Sequence, residues 1–261
     1  MNNLWRYAVV KQVRKLYWRA YAAWKRAVTN PDGPPQAGPT AYGVRMIERW
    51  QDRTYVYCRG GTYGRFLADF LERDGEPFTF VDIGANQGLY SLIAARNPAC
   101  IKAIAFEPVD ATHSLLVANA EANGLTGKIK AHRLAVSTHS GPITIRVPER
   151  HSGMAAIGDS GDLKGSVTLE TIEAVSSVEL EKILAGNGPI VVKVDVEGHE
   201  AEVFAELVKT RASSRIKAAF YEIDQRWSDE KRIETILRRA GFDRFTRVGF
   251  GHHFDVLAER A

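Results

Sequence analysis

The sequence predicts an α/β protein with a doubly wound, mostly parallel sheet and an antiparallel C-terminal strand. Three observations lead there. From residue 78 onward, short apolar runs alternate with stretches of helical length, the pattern of a parallel sheet covered on both faces. The run Phe78–Val81 ends in Asp82-Ile83-Gly84-Ala85-Asn86-Gln87-Gly88 and passes at once into the helical segment Leu89–Ala95, a strand–loop–helix turn of the nucleotide-binding kind. The end of the chain, 242–258, alternates around Gly249 and Gly251 as two antiparallel strands do. A length of 261 residues suits one sizeable domain and is short for two.

Residues 4–27 have helical periodicity. Trp5, Val9, Val13, Leu16, Tyr17, Ala20, Trp24 and Ala27 fall on one face, and Lys11, Arg14, Lys15, Arg19, Lys25 and Arg26 on the other, with Arg6 the exception. Residues 1–31 hold seven basic side chains and no acid, so the formal +4 divides into +7 here and −3 on the remainder. Such a helix suits the surface of an anionic membrane; the same pattern serves a helix that packs on its own domain or forms a homodimer. Pro31, Pro34, Pro35 and Pro39 mark a linker, dividing a basic amphipathic segment, 1–38, from a domain at 39–261. Within that domain, 41–51 and 64–73 read as helices and 54–58 as a short strand.

The core elements follow in order: strand 78–83, helix 88–96, strand 101–106, and helix 110–123 closed by Asn123-Gly124. Strand 129–136 and a hairpin return at 142–147 lead into an irregular stretch, 148–165. Strand 167–172, helix 177–185, strand 190–195, helix 199–210, strand 216–223 and helix 229–240 complete the alternation before the closing pair.

Glycine at 84 and 88 allows a sharp turn and close approach to a ligand, and the helix start behind offers free N–H groups. A dinucleotide loop needs a glycine two residues after the first; Asn86 stands there instead, and Asp82 before the loop would repel phosphate. An acidic loop suits a cationic cofactor such as S-adenosylmethionine. Glu107, ending the next strand, is placed for ribose hydroxyls. The second chemical hot spot is Lys193-Val194-Asp195-Val196-Glu197-Gly198-His199-Glu200, a buried strand ending in carboxylates. Ligands of open α/β sheets sit beyond the strand ends where strand order reverses, which brings Asp82/Gly84 and Asp195/Glu197 to one crevice.

D-I-G-A-N-Q-G at 82–88, F-E-P at 106–108, A-V-S at 135–137 and K-V-D-V-E-G-H-E at 193–200, in that order, resemble the FkbM-type methyltransferases. The resemblance implies the Rossmann-like class I methyltransferase fold with a seven-stranded sheet. It also implies S-adenosyl-L-methionine as donor and O-methylation of a saccharide, glycolipid or secondary metabolite. By the same resemblance Asp82, Gly84, Asn86 and Gly88 lie along the methionine part, Glu107 holds the ribose, and Val136 and Ser137 lie beside the adenine. Ala85, Pro108 and Asp195 complete the expected cofactor-binding set.

A sugar hydroxyl is a poor nucleophile, so a general base is expected, with His199, Asp195, Glu197 and Glu222 as candidates. His199 has a near-neutral reference pKa at a helix start that disfavours its cation. Glu200 reads as a helix-dipole partner, His151 as part of an acceptor-side lid, and His252-His253 as surface residues. Asp195, Glu197 and His199 offer donors that suit Mg²⁺ or Mn²⁺, but their spacing is not diagnostic and no metal is predicted. The −3 balance of the domain argues against nucleic acid; an RNA methyltransferase is the alternative, resting on the basic tail alone, and a non-catalytic cofactor-binding or membrane-tethered protein a third. Two cysteines without metal spacing, no signal pattern and no apolar run of spanning length predict a cytoplasmic protein, with peripheral contact at the inner membrane face through residues 4–27.

Overall fold

The computed structural model describes residues 2–28, 33–148, 152–157, 166–249 and 251–260. Helix α1 (Asn2–Val28) is followed by a small antiparallel pair, β1 (Ala37–Pro39) and β2 (Arg45–Ile47), then α2 (Arg53–Gly60) and α3 (Arg65–Arg73). The central part runs β3 (Phe78–Ile83), α4 (Leu89–Arg96), β4 (Cys100–Phe106), α5 (Asp110–Ala122), β5 (Ile129–His132), β6 (Ala135–Val136) and β7 (Gly141–Pro148). A 3-10 turn at Ser152–Met154, β8 (Ala156–Ile157), β9 (Val167–Val175), α6 (Ser177–Ile183), β10 (Ile190–Val194) and α7 (Glu200–Leu207) come next. The chain ends with β11 (Ile216–Asp224), α8 (Glu230–Arg239), β12 (Arg244–Val248) and β13 (His253–Glu259).

Seven strands form the main sheet in the order β12-β13-β11-β10-β3-β4-β5. Five parallel strands, β11-β10-β3-β4-β5, are continued by β13, which pairs antiparallel with both β11 and the edge strand β12. The first and fourth expected core strands, β3 and β10, are neighbours, with Asp82 opposite Lys193. Strand order reverses there, so their carboxyl ends open one crevice.

Side chains alternate across this sheet as the pleat requires. Phe78, Phe80, Ala103, Ala105, Val191 and Phe220 face α3, α4 and α5, while Val81, Ile83, Ile104, Phe106, Val192, Val194 and Tyr221 face α6, α7 and α8. Each such Val, Ile or Phe stabilises the fold by about 1.5–3 kcal/mol through burial, so a charge at Val192 would abolish folding. The expected single strand 129–136 is split. Its last two residues leave the main sheet and join a second one, β6-β9-β7-β8, with a small core of Val109, Ile145, Ile172 and Ala174.

Two expectations before residue 64 are corrected. Residues 54–58 are helical: Asp52 accepts the Thr54 N–H at 2.9 Å as an N-cap, and Gly61 closes α2 in the left-handed region at φ 67°. Thr54 and Val56 favour a strand locally, but the packing of α1 on this segment overrides them. Residues 45–47 form β2 instead of a helix, because Asn119 and Asn123 of α5 take over its backbone bonding. Asn119 accepts the Ile47 N–H at 2.6 Å, and Asn123 accepts from Arg45 at 2.9 Å and donates to its carbonyl at 2.7 Å. No local pattern announces partners more than seventy residues away.

Helix α1 packs on the domain by a face the periodicity did not single out. Ala22 is buried, the Trp18 indole packs close against Gly60, and Tyr21 meets Trp50 edge-on at 5.4 Å. Leu16, Tyr17 and Trp24, from the expected apolar face, are 65, 60 and 54 % exposed. No helix among the described residues is long and apolar enough to cross a membrane.

Candidate active site

The β3–α4 loop is held from behind by β4: Gly84 and Ala85 both donate to the Phe106 carbonyl, at 3.0 and 2.9 Å. Glu107 then fixes the turn by accepting Asn86 N–H at 2.9 Å and Val109 N–H at 3.0 Å. Asn86 sits at φ 51°, a left-handed conformation that few non-glycine residues adopt. Gly84, at φ +77°, has no alternative: a Cβ there would lie 1.9 Å from the Asp195 carbonyl oxygen. The two strand-end loops are thus in backbone contact.

In front of this contact lies a cleft of about 620 Å³, space open to solvent included. Gly84, Asn86, Glu107, Pro108, Val136 and Asp195, all expected cofactor residues, line it. Its apolar wall is Phe106, Leu134, Ile145 and Ile157. Asp82, Ala85, Gly88 and Ser137 are not in the lining. Asp82 lies beneath the loop, accepting from Ser91 Oγ at 2.7 Å and 3.4 Å from Lys193 Nζ. Lys193 also donates to the Gly84 carbonyl at 2.7 Å and stands 3.4 Å from Asp195. The acidity of the loop is therefore largely met by a buried ammonium, whose proton both carboxylates hold more firmly.

Burial raises the Glu107 carboxyl to about 7. The site can hold S-adenosylmethionine: a carboxylate stands at the end of the second core strand, an apolar wall offers an adenine surface, and the loop backbone is bare at Gly84.

The second cleft, about 1740 Å³ including open space, adjoins the first. Tyr63, Gly153, Asp195 and Glu197 line both. Glu222, Asp224, Trp227, His253, Phe254 and Asp255 form its far side. Asp195, Glu197 and Glu222 each bring one oxygen within 4.8 Å of the others, hard donors of the type a divalent cation takes. Three carboxylates so close cannot all ionise unaided. Burial and its acidic neighbours push Glu197 well up, and Glu222 rises to about 7, mainly by burial. His253 Nε2 bonds Glu222 at 2.5 Å, an interaction that lifts the imidazole to about 9. Glu197, at φ 53°, is the second non-glycine residue with positive φ; strain of this kind gathers at functional sites.

His199 lies on the cofactor side, with Nε2 3.1 Å from Ser137 Oγ, and burial lowers its pKa. Glu200 does more than meet a helix dipole: buried, it accepts the Val196 and Gly198 N–H groups at 3.1 and 3.0 Å and ties down the acidic loop. His151 falls outside the described residues. The neighbouring Ser152 bonds Asp52 at 2.8 Å and Asn86 at 3.1 Å, while Gly153 N–H donates to Thr54 Oγ1 at 3.0 Å, which ties this turn across the cleft mouth. Sequence reasoning placed Ser152-Gly153-Met154 beside His151 on the acceptor side, but missed Tyr63, Trp227 and the approach of His253. Tyr63 donates to Asp195 Oδ2 at 3.1 Å, and burial keeps its phenol protonated. The only local hint was Tyr63-Gly64 before a helix.

A seven-stranded doubly wound sheet with an acidic strand-end cleft at its switch point defines a Rossmann-like methyltransferase fold, whose cofactor is S-adenosylmethionine. The methyltransferase FkbM domain model matches residues 82–244, and the chain belongs to that family. The hexuronic acid methyltransferase AglP of Haloferax volcanii is 32 % identical over 174 residues, covering 65 % of each chain; this chain thus spans less than two thirds of that relative's length. Among solved structures, Sp1610 of Streptococcus pneumoniae with S-adenosyl-L-methionine has a TM-score of 0.46 at 14 % identity, covering 76 % of this chain and 71 % of that one. Precorrin-6y C5,15-methyltransferase of Geobacter metallireducens GS-15 has a TM-score of 0.46 at 10 % identity, covering 77 and 90 %.

Proposed function

We propose that the protein is an S-adenosylmethionine-dependent O-methyltransferase acting on a hydroxyl of a saccharide. The observation that carries this reading is the meeting of the two clefts at Asp195, Glu197, Tyr63 and Gly153. The carboxylates and Trp227 of the outer cleft are the hydrogen-bonding and stacking groups that a sugar ring uses, and the name of the Haloferax relative points to an acidic sugar.

Glu107, Asn86 and Gly84 would hold the cofactor. When bound, S-adenosylmethionine supplies a methyl carbon made electrophilic by its sulfonium, open to in-line attack by an oxygen. Glu222 serves as general base: above pH 7 it is a carboxylate, and the His253 imidazolium keeps it oriented. Asp195, held by Tyr63 and Lys193, and a protonated Glu197 position the acceptor hydroxyl. His199 supports the cofactor side through Ser137.

Glu222→Gln should lower kcat by about 10²–10⁴-fold, leave S-adenosylmethionine affinity unchanged, and remove the rise of kcat with pH through about 7 that the native enzyme should show. Native kcat in Glu222→Gln would sink the base assignment. The same assay with a chelator distinguishes a base from a cation: a rate lost on chelation and restored by Mg²⁺ would assign the three carboxylates to a metal.

The exposed Leu16, Tyr17 and Trp24 face of α1, on a segment that carries seven basic side chains and no acid, is a contact with an anionic membrane surface. Cosedimentation with phosphatidylglycerol vesicles should be lost in Leu16→Ser/Trp24→Ser; undiminished cosedimentation would defeat this reading.

A further inference from the structure

Between α1 and α2 lies a third cavity, about 940 Å³ including open space, lined by Arg19, Ala22, Arg26, Gln51, Arg53, Val56 and Tyr57. Three guanidinium-bearing residues line it and no acidic residue does. Among the described residues none of the three arginines is in an ion pair; Arg26 Nη1 donates to the Trp50 carbonyl at 3.0 Å. The nearest acid in sequence, Asp52, is turned inward. Its oxygens accept Thr54 N–H at 2.9 Å, Ser152 Oγ at 2.8 Å and Gln87 Nε2 at 2.5 Å.

Arg53 also occupies the first turn of α2, where the helix dipole favours an acid over a cation. Like charges gathered without a counter-charge repel one another, and a local conflict of this sort is expected where function requires it. Three arginines on the wall of one cavity supply the donors that bind the oxygens of a phosphoryl group in forked pairs. Tyr57 lines this cavity and the outer cleft alike. The arginine cavity lies within residues 19–57, outside the family match at 82–244.

We infer that Arg19, Arg26 and Arg53 form a phosphoryl-binding site, and that it holds a phosphate or diphosphate borne by the acceptor whose hydroxyl enters the outer cleft. The anion site stands on its own geometry; assigning its phosphate to the acceptor rests on the methyltransferase reading of that cleft.

The probe is inorganic pyrophosphate, titrated calorimetrically into the full chain, with S-adenosylmethionine binding measured separately in every variant. Saturable binding is expected, weakened at least tenfold by Arg53→Ala and by Arg19→Ala, partly retained in Arg53→Lys, and unchanged in Arg239→Ala on α8. Native S-adenosylmethionine affinity in all four variants shows that each is folded and that a failure here is not a failure of the cofactor site. Absence of saturable pyrophosphate binding, or native affinity in Arg53→Ala, overturns the proposal. A vesicle arm separates the sources of phosphate. Arg53 lies on α2, so Arg53→Ala should leave cosedimentation with phosphatidylglycerol vesicles intact. Loss of vesicle binding without any pyrophosphate binding would assign the arginines to a lipid surface and overturn the site as stated.

Discussion

Gly84 and Asp82 show how differently two neighbouring loop residues act. Gly84 is required by its positive φ and by the Asp195 carbonyl that a Cβ would strike. Gly84→Ala combines roughly 1–2 kcal/mol of left-handed strain with a backbone clash, and should weaken S-adenosylmethionine binding more than tenfold by calorimetry. Gly88→Ala carries the same kind of strain, but its Cβ meets only the Leu116 side chain at 2.9 Å, so its loss should be clearly smaller. Asp82 works through Lys193. Asp82→Ala leaves that ammonium short of a partner beneath the loop and should cost about 3–5 kcal/mol of unfolding free energy, seen as a lower urea midpoint. Asp82→Asn, still able to bond Ser91, should cost less.

At the scale of elements, α1 decides whether the molecule has one apolar surface or two. At about 100° per residue, Trp18, Tyr21, Ala22 and Lys25 form the packed face, Leu16, Ala20 and Ala27 lie on the far side, and Tyr17 and Trp24 stand at the edge between them, each ring against Tyr21. The close contact of Trp18 with Gly60 makes the docking testable: a Cβ at Gly60 would lie 2.5 Å from the indole. Gly60→Val should lever α1 away, shift tryptophan emission to the red, and expose residues 14–28 to limited proteolysis. S-adenosylmethionine affinity should be unchanged, since no described side chain of α1 lines the cofactor cleft. Equal protection of α1 in this variant would refute the packing account.

For the whole molecule, the outer cleft ties the C-terminal hairpin to the core. His253 of β13 is raised to about 9 by Glu222 of β11, so its contribution to stability is full below pH 6.5 and is lost as pH rises through about 9. The thermal midpoint of the free protein should fall between pH 7 and 9, and His253→Asn should flatten that fall; an unaltered slope would show that the pair does not couple hairpin to core. Glu107 acts at lower pH. Its folded pKa of about 7 exceeds the ordinary 4.5, so its stabilising contribution is lost as pH rises through about 7, whereas S-adenosylmethionine affinity should improve over the same range as the ribose-binding carboxylate forms.

The sequence by itself determined the parallel sheet, the loop at 82–88 and the acidic motif at 193–200, because those signals are local: short apolar runs between helical stretches, glycines in a strand-to-helix turn, carboxylates at strand ends. It also exposed the resemblance that names the family. Tertiary structure alone decided which residues meet. Tyr63 reaches Asp195 across 132 positions, His253 reaches Glu222 through antiparallel pairing, and three arginines from two helices line one cavity. Residues 45–47 and 53–60 took conformations against their local preference because asparagine side chains and an indole from distant segments satisfied them better. Such contacts have no periodicity, so only the folded chain reveals them.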